Sequence, residues 1–414
     1  MSVRYALKGA VVALAMGVAS TAVAEPVEFM SWTVTEETGE KVINEMIGSF
    51  DGEVEAQGYA WGDMNKNYVL RARSNTLPDV GQTQGRLLPT MAAATKPLDM
   101  NEVVGRERLL EMFDEGFLAA GEVDGRQVGL PWIAGTIGWV ANEEVLRAAG
   151  VEALPTTVEE FRAALTAVRD NVPNAVPFGM ATKNPNSILL DYLILGWTFG
   201  AEPIGEDGTP AVNSPEAVAA LTFMTELVQE RLAAPEVDRP DARRLFGQGA
   251  TAFYIDAPVA RSFARQFSGR GEEIDAAVVP MAGPVLTEGD TPVSIQWGHI
   301  LTVLGDDNAS ADSPAVRFVM HLLSDDELVP YAVGQSVLPA TKTGQASEAV
   351  QSDQYLADWA AAAIQPRRNT VASLENASEV AAIIGEEVQA SILGQKTPQE
   401  AADSMQARLE DAVR

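Results

Sequence analysis

Cysteine is absent from the 414 residues, and histidine occurs only at His299 and His321. The first absence removes disulfides, thiol nucleophiles and thiolate metal sites. The second excludes any centre with three imidazole ligands and leaves a Ser-His-Asp triad only two positions around which to form. Basic residues are scarce too: 29 Lys and Arg against 58 Asp and Glu give a formal charge of −29. That balance argues against nucleic acid or an anionic membrane as partner, because phosphate binding needs a cationic surplus. The sequence carries neither a Gly-x-Ser-x-Gly elbow nor a Walker-type phosphate loop. No apolar run after the first twenty-four residues reaches membrane-spanning length without charge.

What is present begins with that stretch. Arg4 and Lys8 precede an uninterrupted apolar run at residues 10–19, and Ala22-Val23-Ala24 supplies small residues where a signal peptidase cuts. The run is too short to span a bilayer as a helix. The pattern predicts a signal peptide over residues 1–24, cleaved before Glu25, with no cysteine to carry a lipid, and hence a periplasmic product. A mature chain of about 390 residues leaves room for two or three domains. An apolar content of 46% is that of a globular protein.

Residues 27–32 (VEFMSW) read as a strand. Thr33 with Glu36 three residues on makes a capping-box pattern, and Val42, Ile43, Met46, Ile47 and Phe50 then recur at helical spacing. A second strand is expected over 54–61, a helix over 65–74, and a third strand from Leu77-Pro78-Asp79-Val80. Such alternation belongs to a layered α/β domain with right-handed crossovers. Thr157 with Glu160, Ser214-Pro215, Ser313-Pro314, and Thr397-Pro398 with Glu400 announce later helix starts. Neither an internal repeat nor a low-complexity linker marks a domain boundary.

Three patterns carry no function. Residues 247–252 fit G-x-G-x-x-A, but a helix precedes and a strand follows, the reverse of a dinucleotide site. Asn308-Ala309-Ser310 and Asn376-Ala377-Ser378 match a glycosylation triplet that arises by chance. Asp325-Asp326-Glu327 suits the first turn of a helix after Ser324 better than a metal.

Further segments follow one another in a familiar order: LPDV at 77–80, DGRQVGLP at 124–131, VANEEVL at 140–146 with Ala149-Gly150, LPTTVEEF at 154–161, FGQGATA at 246–252, and ILGQKTPQEA at 392–401. Together they resemble the solute-binding proteins of ATP-driven importers, in the maltose-binding-protein-like group that mostly carries sugars. Ala141, Thr157 and Val259 stand where that group usually has aromatic residues. The last argues against a large oligosaccharide stacking there.

The resemblance implies an α/β, two-lobed periplasmic-binding-protein fold of type II, each lobe a sheet flanked by helices, with a multi-segment hinge. Lobe 1 is expected over residues 25–134 and 299–325, and lobe 2 over 135–298 and 326–414, with crossings near 133–136, 296–299 and 323–326. It also implies capture of a small polar ligand without chemistry, no cofactor or metal, hinge closure, and delivery to membrane permease subunits by a monomer.

A sugar site needs flat aromatic faces and planar polar groups, set at strand ends facing the cleft. The candidates are Trp32 and Glu36 after the first strand, Gln82 and Gln84 after Asp79-Val80, Thr136 at the first crossing, Asn186 and Trp197 on an apolar helix, Tyr254 and Asp256 at a strand end, and Trp297, Gly298 and His299 at the second crossing. Arg368, beside Arg367, offers a planar donor fork. Plain structural roles compete with several of these. Trp32 serves equally as a core anchor, Asp256 as a helix cap, His299 as a structural histidine, and one of the two arginines as a surface charge. Gly298 is read as permitting close backbone approach of a ligand. The leading reading is a sugar or polyol receptor. The alternatives are a receptor for a phosphate, sulfonate or carboxylate derivative held by Arg368 or Arg367, a secreted glycan-acting enzyme, and a polyamine receptor.

Overall fold

The computed structural model describes residues 25–413, apart from 206–207, 306–307, 364–365 and 375. The expected signal segment lies outside the described residues. In chain order the strands are β1 (Val27–Met30), β2 (Val54–Gln57), β3 (Val80–Gln84), β4 (Glu122–Val123), β5 (Arg126–Gln127), β6 (Leu130–Asn142), β7 (Phe253–Asp256), β8 (Val278–Met281), β9 (Ser294–Val303), β10 (Leu338–Pro339) and β11 (Pro366–Arg367).

Two long antiparallel strands organise the chain. β6 and β9 pair from Leu130 opposite Leu301 to Ile137 opposite Ile295. At one end β9 passes the sheet to β3, and β3, β1 and β2 run parallel to one another. At the other end β6 pairs with β7 and β8, and β9 with β11. The result is a two-lobed α/β fold with helices on both faces. Coverage on both faces explains why β3 and most of β6 are buried along their length rather than alternating with solvent.

On the β1–β3 side, Phe29 meets Phe318 of the Pro314–Leu322 helix edge to face, with centroids 5.3 Å apart. On the other side the Pro185–Thr198 helix is buried from Ser187 to Trp197. That fits a helix apolar all round. The caps at Thr157, Ser214, Ser313 and Thr397 start helices as read from the sequence, the first and last as complete capping boxes. The G-x-G-x-x-A segment is a helix-to-strand turn, with Gly249 at φ +72° after the Arg239–Gly247 helix.

Two local expectations are corrected. The Thr33–Glu36 pair does not cap a helix: residues 33–35 form a 3-10 turn and the helix begins at Glu40. Thr33 Oγ1 instead donates to Gln82 Oε1 at 3.1 Å, and Glu36 turns toward Arg243, so both side chains serve tertiary contacts. The second strand ends at Gln57, and Trp61 opens a separate 3-10 turn. The Asp325–Gln335 helix, acidic in its first turn, packs with β1's side of the molecule. Ser49 Oγ donates to Glu327 Oε1 at 2.7 Å, Tyr331 lies 3.4 Å from Thr33 Oγ1, and Thr38 Oγ1 donates to Gln335 at 3.1 Å.

Gly298 answers to the neighbouring strand rather than to a ligand. It pairs with Ala134, and a Cβ there would lie 2.7 Å from the Ile133 carbonyl oxygen. Backbone cannot rotate away as a side chain can, so Gly298→Ala is expected to destabilise by about 1–3 kcal/mol. Urea denaturation of the variant beside the parent measures it; an unchanged midpoint would show that the β6–β9 pair yields freely there.

Candidate functional site

A cleft opens where the β6–β9 pair passes from one lobe to the other. It encloses about 660 Å³ not filled by protein, part of it open solvent. One wall comes from the chain after β1 (Trp32, Glu36), the 3-10 turn at Trp61 and the end of β3 (Gln84). The opposite wall comes from the Arg239–Gly247 helix (Arg239, Arg243) and the end of β7 (Asp256). Trp297 and His299 of β9 form part of the base, and Tyr331 and Gln335 come from the Asp325–Gln335 helix.

The charged groups form an alternating line. Asp191, deep in the Pro185–Thr198 helix, accepts from the Ala181 amide at 2.7 Å and pairs with Arg239. Arg239 also donates to the Ile255 carbonyl, next to Asp256. Arg243 grips Asp256 through two bonds, Nε to Oδ2 at 2.7 Å and Nη2 to Oδ1 at 3.0 Å. Its guanidinium lies 4.0 Å above the Phe263 ring centroid, a cation–π contact that holds the plane. Its remaining terminal nitrogen, Nη1, lies 3.6 Å from Glu36 Oε1 on the opposing wall.

Glu36 keeps 23% of its side chain exposed, yet its pKa is raised: desolvation by the surrounding walls outweighs the attraction of Arg243, and Asp256 adds to the rise. His299 is pushed down to about 3, first by burial and then by Arg243, so its ring is neutral. Gln82 Oε1 receives hydroxyls from Ser31 and Thr33, which turns the amide nitrogen toward His299 Nδ1 at 3.1 Å. That network makes Nδ1 the acceptor and Nε2 the protonated nitrogen. Tyr68 Oη donates to the Gln82 carbonyl at 2.8 Å, tying the same residue to the Met64–Ser74 helix.

Of the thirteen residues expected at the site, the cleft lining includes Trp32, Glu36, Gln84, Asp256, Trp297 and His299. Gln82 stands one layer behind, orienting His299. Asn186 borders the lining residue Ser187, and Gly298 sits between two lining residues. The remaining four lie outside the lining. Thr136 Oγ1 accepts from Trp359 Nε1 at 3.0 Å beside a separate small cavity. Trp197 is covered by the Arg367 guanidinium at 4.5 Å. Tyr254 is wholly buried in the core against Phe246. Arg368 is exposed, and Arg367 pairs with Glu202. Asp256, a lining residue, accepts from Arg243 and the Ala257 amide. Sequence reasoning missed Arg239, Arg243, Trp61 and Tyr331. Arg239 and Arg243 had a readable signal: spacing of four after an Asp238 cap puts both on one helix face.

Residues 41–358 match the family described as bacterial extracellular solute-binding protein. The chain belongs to that family, whose members bind solutes and are not enzymes. Among relatives, a protein named as a binding protein in Brucella abortus (strain 2308) is 25% identical over 292 residues, covering 69% of this chain and 68% of that one. Maltose-bound MalE3 of T. maritima superposes with a TM-score of 0.81 at 22% identity, over 94% of this chain and 99% of that one. The GacH receptor of Streptomyces glaucescens, solved unliganded and with acarbose, gives 0.80 at 17% identity, over 94% and 98%. An ABC transporter solute-binding protein of Thermotoga lettingae bound to α-D-tagatose gives 0.77 at 18%, over 92% and 98%. These likenesses establish the fold. No described helix is long and apolar enough to cross a membrane.

Proposed function

We propose that the protein captures a neutral sugar or polyol between its lobes and delivers it, as a monomer, to the permease of an ABC importer. It does so in the periplasm, after loss of residues 1–24. The observation that carries this reading is the pairing of the cleft's cations. Arg239 is matched by Asp191 and Arg243 by Asp256, so the charge of each guanidinium is balanced, while aromatic side chains supply the apolar surface a sugar ring needs. The structural neighbours hold maltose, acarbose and α-D-tagatose, which supports the same class. The reading in which Arg367 or Arg368 holds an anionic derivative gains nothing: one pairs with Glu202 and the other is exposed outside the lining.

We place the third passage between lobes after Gln335 rather than at 323–326, because Glu327, Tyr331 and Gln335 bond to Ser49, Thr33 and Thr38. β10 then pairs with β6 at the crossing itself.

A thermal-shift screen of residues 25–414 against glucose, galactose, sorbitol, maltose, trehalose, gluconate and glycerol 3-phosphate tests the reading. A true ligand at a hundredfold excess over Kd adds about 2.7 kcal/mol of stability. Stabilisation by a neutral sugar or polyol, without turnover on prolonged incubation, is the expected result. Stabilisation confined to the anionic members would replace it with the anionic reading.

A further inference from the structure

We propose that Glu36 is the residue that excludes anionic sugars from the cleft. The proposal rests on the sugar-site reading above and adds the selectivity that reading leaves open.

The argument begins with what Arg243 has left to give. Nε and Nη2 are both spent on Asp256. Nη1 faces Glu36 at 3.6 Å, too long for a hydrogen bond but close enough for strong attraction between opposite charges. Glu36 therefore balances the charge of Nη1 without consuming its N–H groups. A ligand hydroxyl can accept from them. A ligand carboxylate arriving at the same place would face the Glu36 carboxylate across the gap, with Asp256 already seated behind the guanidinium.

The wider sum points the same way. Asp191, Arg239, Asp256 and Arg243 cancel in pairs, so Glu36 in its ionised form, the form Arg243 Nη1 attracts against the pull of desolvation, is the surplus negative charge of the line. Each lobe supplies one side: Glu36 follows β1, whereas Arg243 and Asp256 belong to the helix and strand opposite. Among the described residues lining the cleft the charged ones are Glu36, Arg239, Arg243 and Asp256. Removing the Glu36 charge thus turns a donor edge guarded against anions into one open to them, with no change to the Arg243–Asp256 clamp. Glu36 still has solvent access, and its part in closing the 33–35 turn is made by backbone alone, so the substitution spares the fold.

The test uses ligand pairs that differ only by oxidation at one carbon: glucose and glucuronate, galactose and galacturonate, sorbitol and gluconate. Wild type, Glu36→Gln and Glu36→Ala are titrated with each by calorimetry at neutral pH. Wild type is expected to bind the neutral member of at least one pair tenfold or more tightly than its acid. Both variants are expected to shift that preference toward the acid by tenfold or more, and added NaCl should weaken the acid affinity they gain. Wild type binding the acid as tightly as its neutral partner overturns the proposal. So does an unchanged preference in the variants, or a gain in Glu36→Gln alone, which would mark hydrogen bonding rather than charge. If wild type binds a neutral sugar and the variants gain nothing, the filter fails and the sugar reading stands. If wild type takes no sugar of either kind and the variants take up acids, the filter stands and the neutral-sugar reading fails.

Discussion

Asp191→Ala is expected to lose about 3–5 kcal/mol of stability. Asp191 and Arg239 leave 0% and 5% of their side chains exposed, so deleting the carboxylate leaves a nearly buried guanidinium without its counter-charge. The Ala181 amide loses its acceptor in the same step. A double replacement, Asp191→Leu with Arg239→Met, removes both charges and should recover most of the loss, because the pair's attraction is largely offset by its desolvation. Guanidinium denaturation of parent, single and double variants reads both outcomes. A single variant within 1 kcal/mol of the parent, which is about the worth of an exposed pair, would show that water reaches the pair.

Acid is expected to weaken the fold through His299. Its folded pKa is depressed to about 3, against about 6.5 in an unfolded chain. A depressed folded pKa means that the unfolded state binds the proton first. The neutral ring's contribution is therefore complete above pH 6.5 and is lost progressively as pH falls toward 3. By pH 5 this amounts to about 2 kcal/mol. Glu36, with its raised pKa, acts in the opposite sense as carboxylates protonate, so the raw curve mixes the two. The difference between wild type and His299→Asn isolates the histidine. Stability measured by urea at pH 7, 6 and 5 should fall less steeply in the variant. Parallel slopes would place the protonated ring in contact with solvent after all.

Both effects depend on residues whose importance the sequence shows unevenly. Helix starts were readable because a cap is a local device: Thr157 needs only Glu160, three residues away, to close its box. The exception is instructive. Thr33 and Glu36 have the same spacing, but Gln82 and Arg243 compete for their side chains from 49 and 207 positions away, and local pattern says nothing of such partners. A strand's direction helps to fix where its end points: Gln84 and Asp256 line the cleft, as does Trp32 just past β1, whereas Tyr254 turns into the core and Trp297 and His299 reach the cleft from the middle of β9. Direction is less legible on helices. Trp197 sits a helix length from Ser187, and only the packed structure reveals that the first faces Arg367 while the second faces the cleft. Arg243 was overlooked because its partner Asp256 lies beyond a turn, thirteen residues on.

The shared use of β6 and β9 has one more consequence. Each strand lends one end to one lobe and the other end to its neighbour. Cutting between the lobes would sever both strands and leave each fragment half of β6 and half of β9. Melting should therefore proceed as one event. Any motion of one lobe against the other must therefore pass through these two continuous strands as well as the chain after Gln335, and paired strands resist shear while allowing twist.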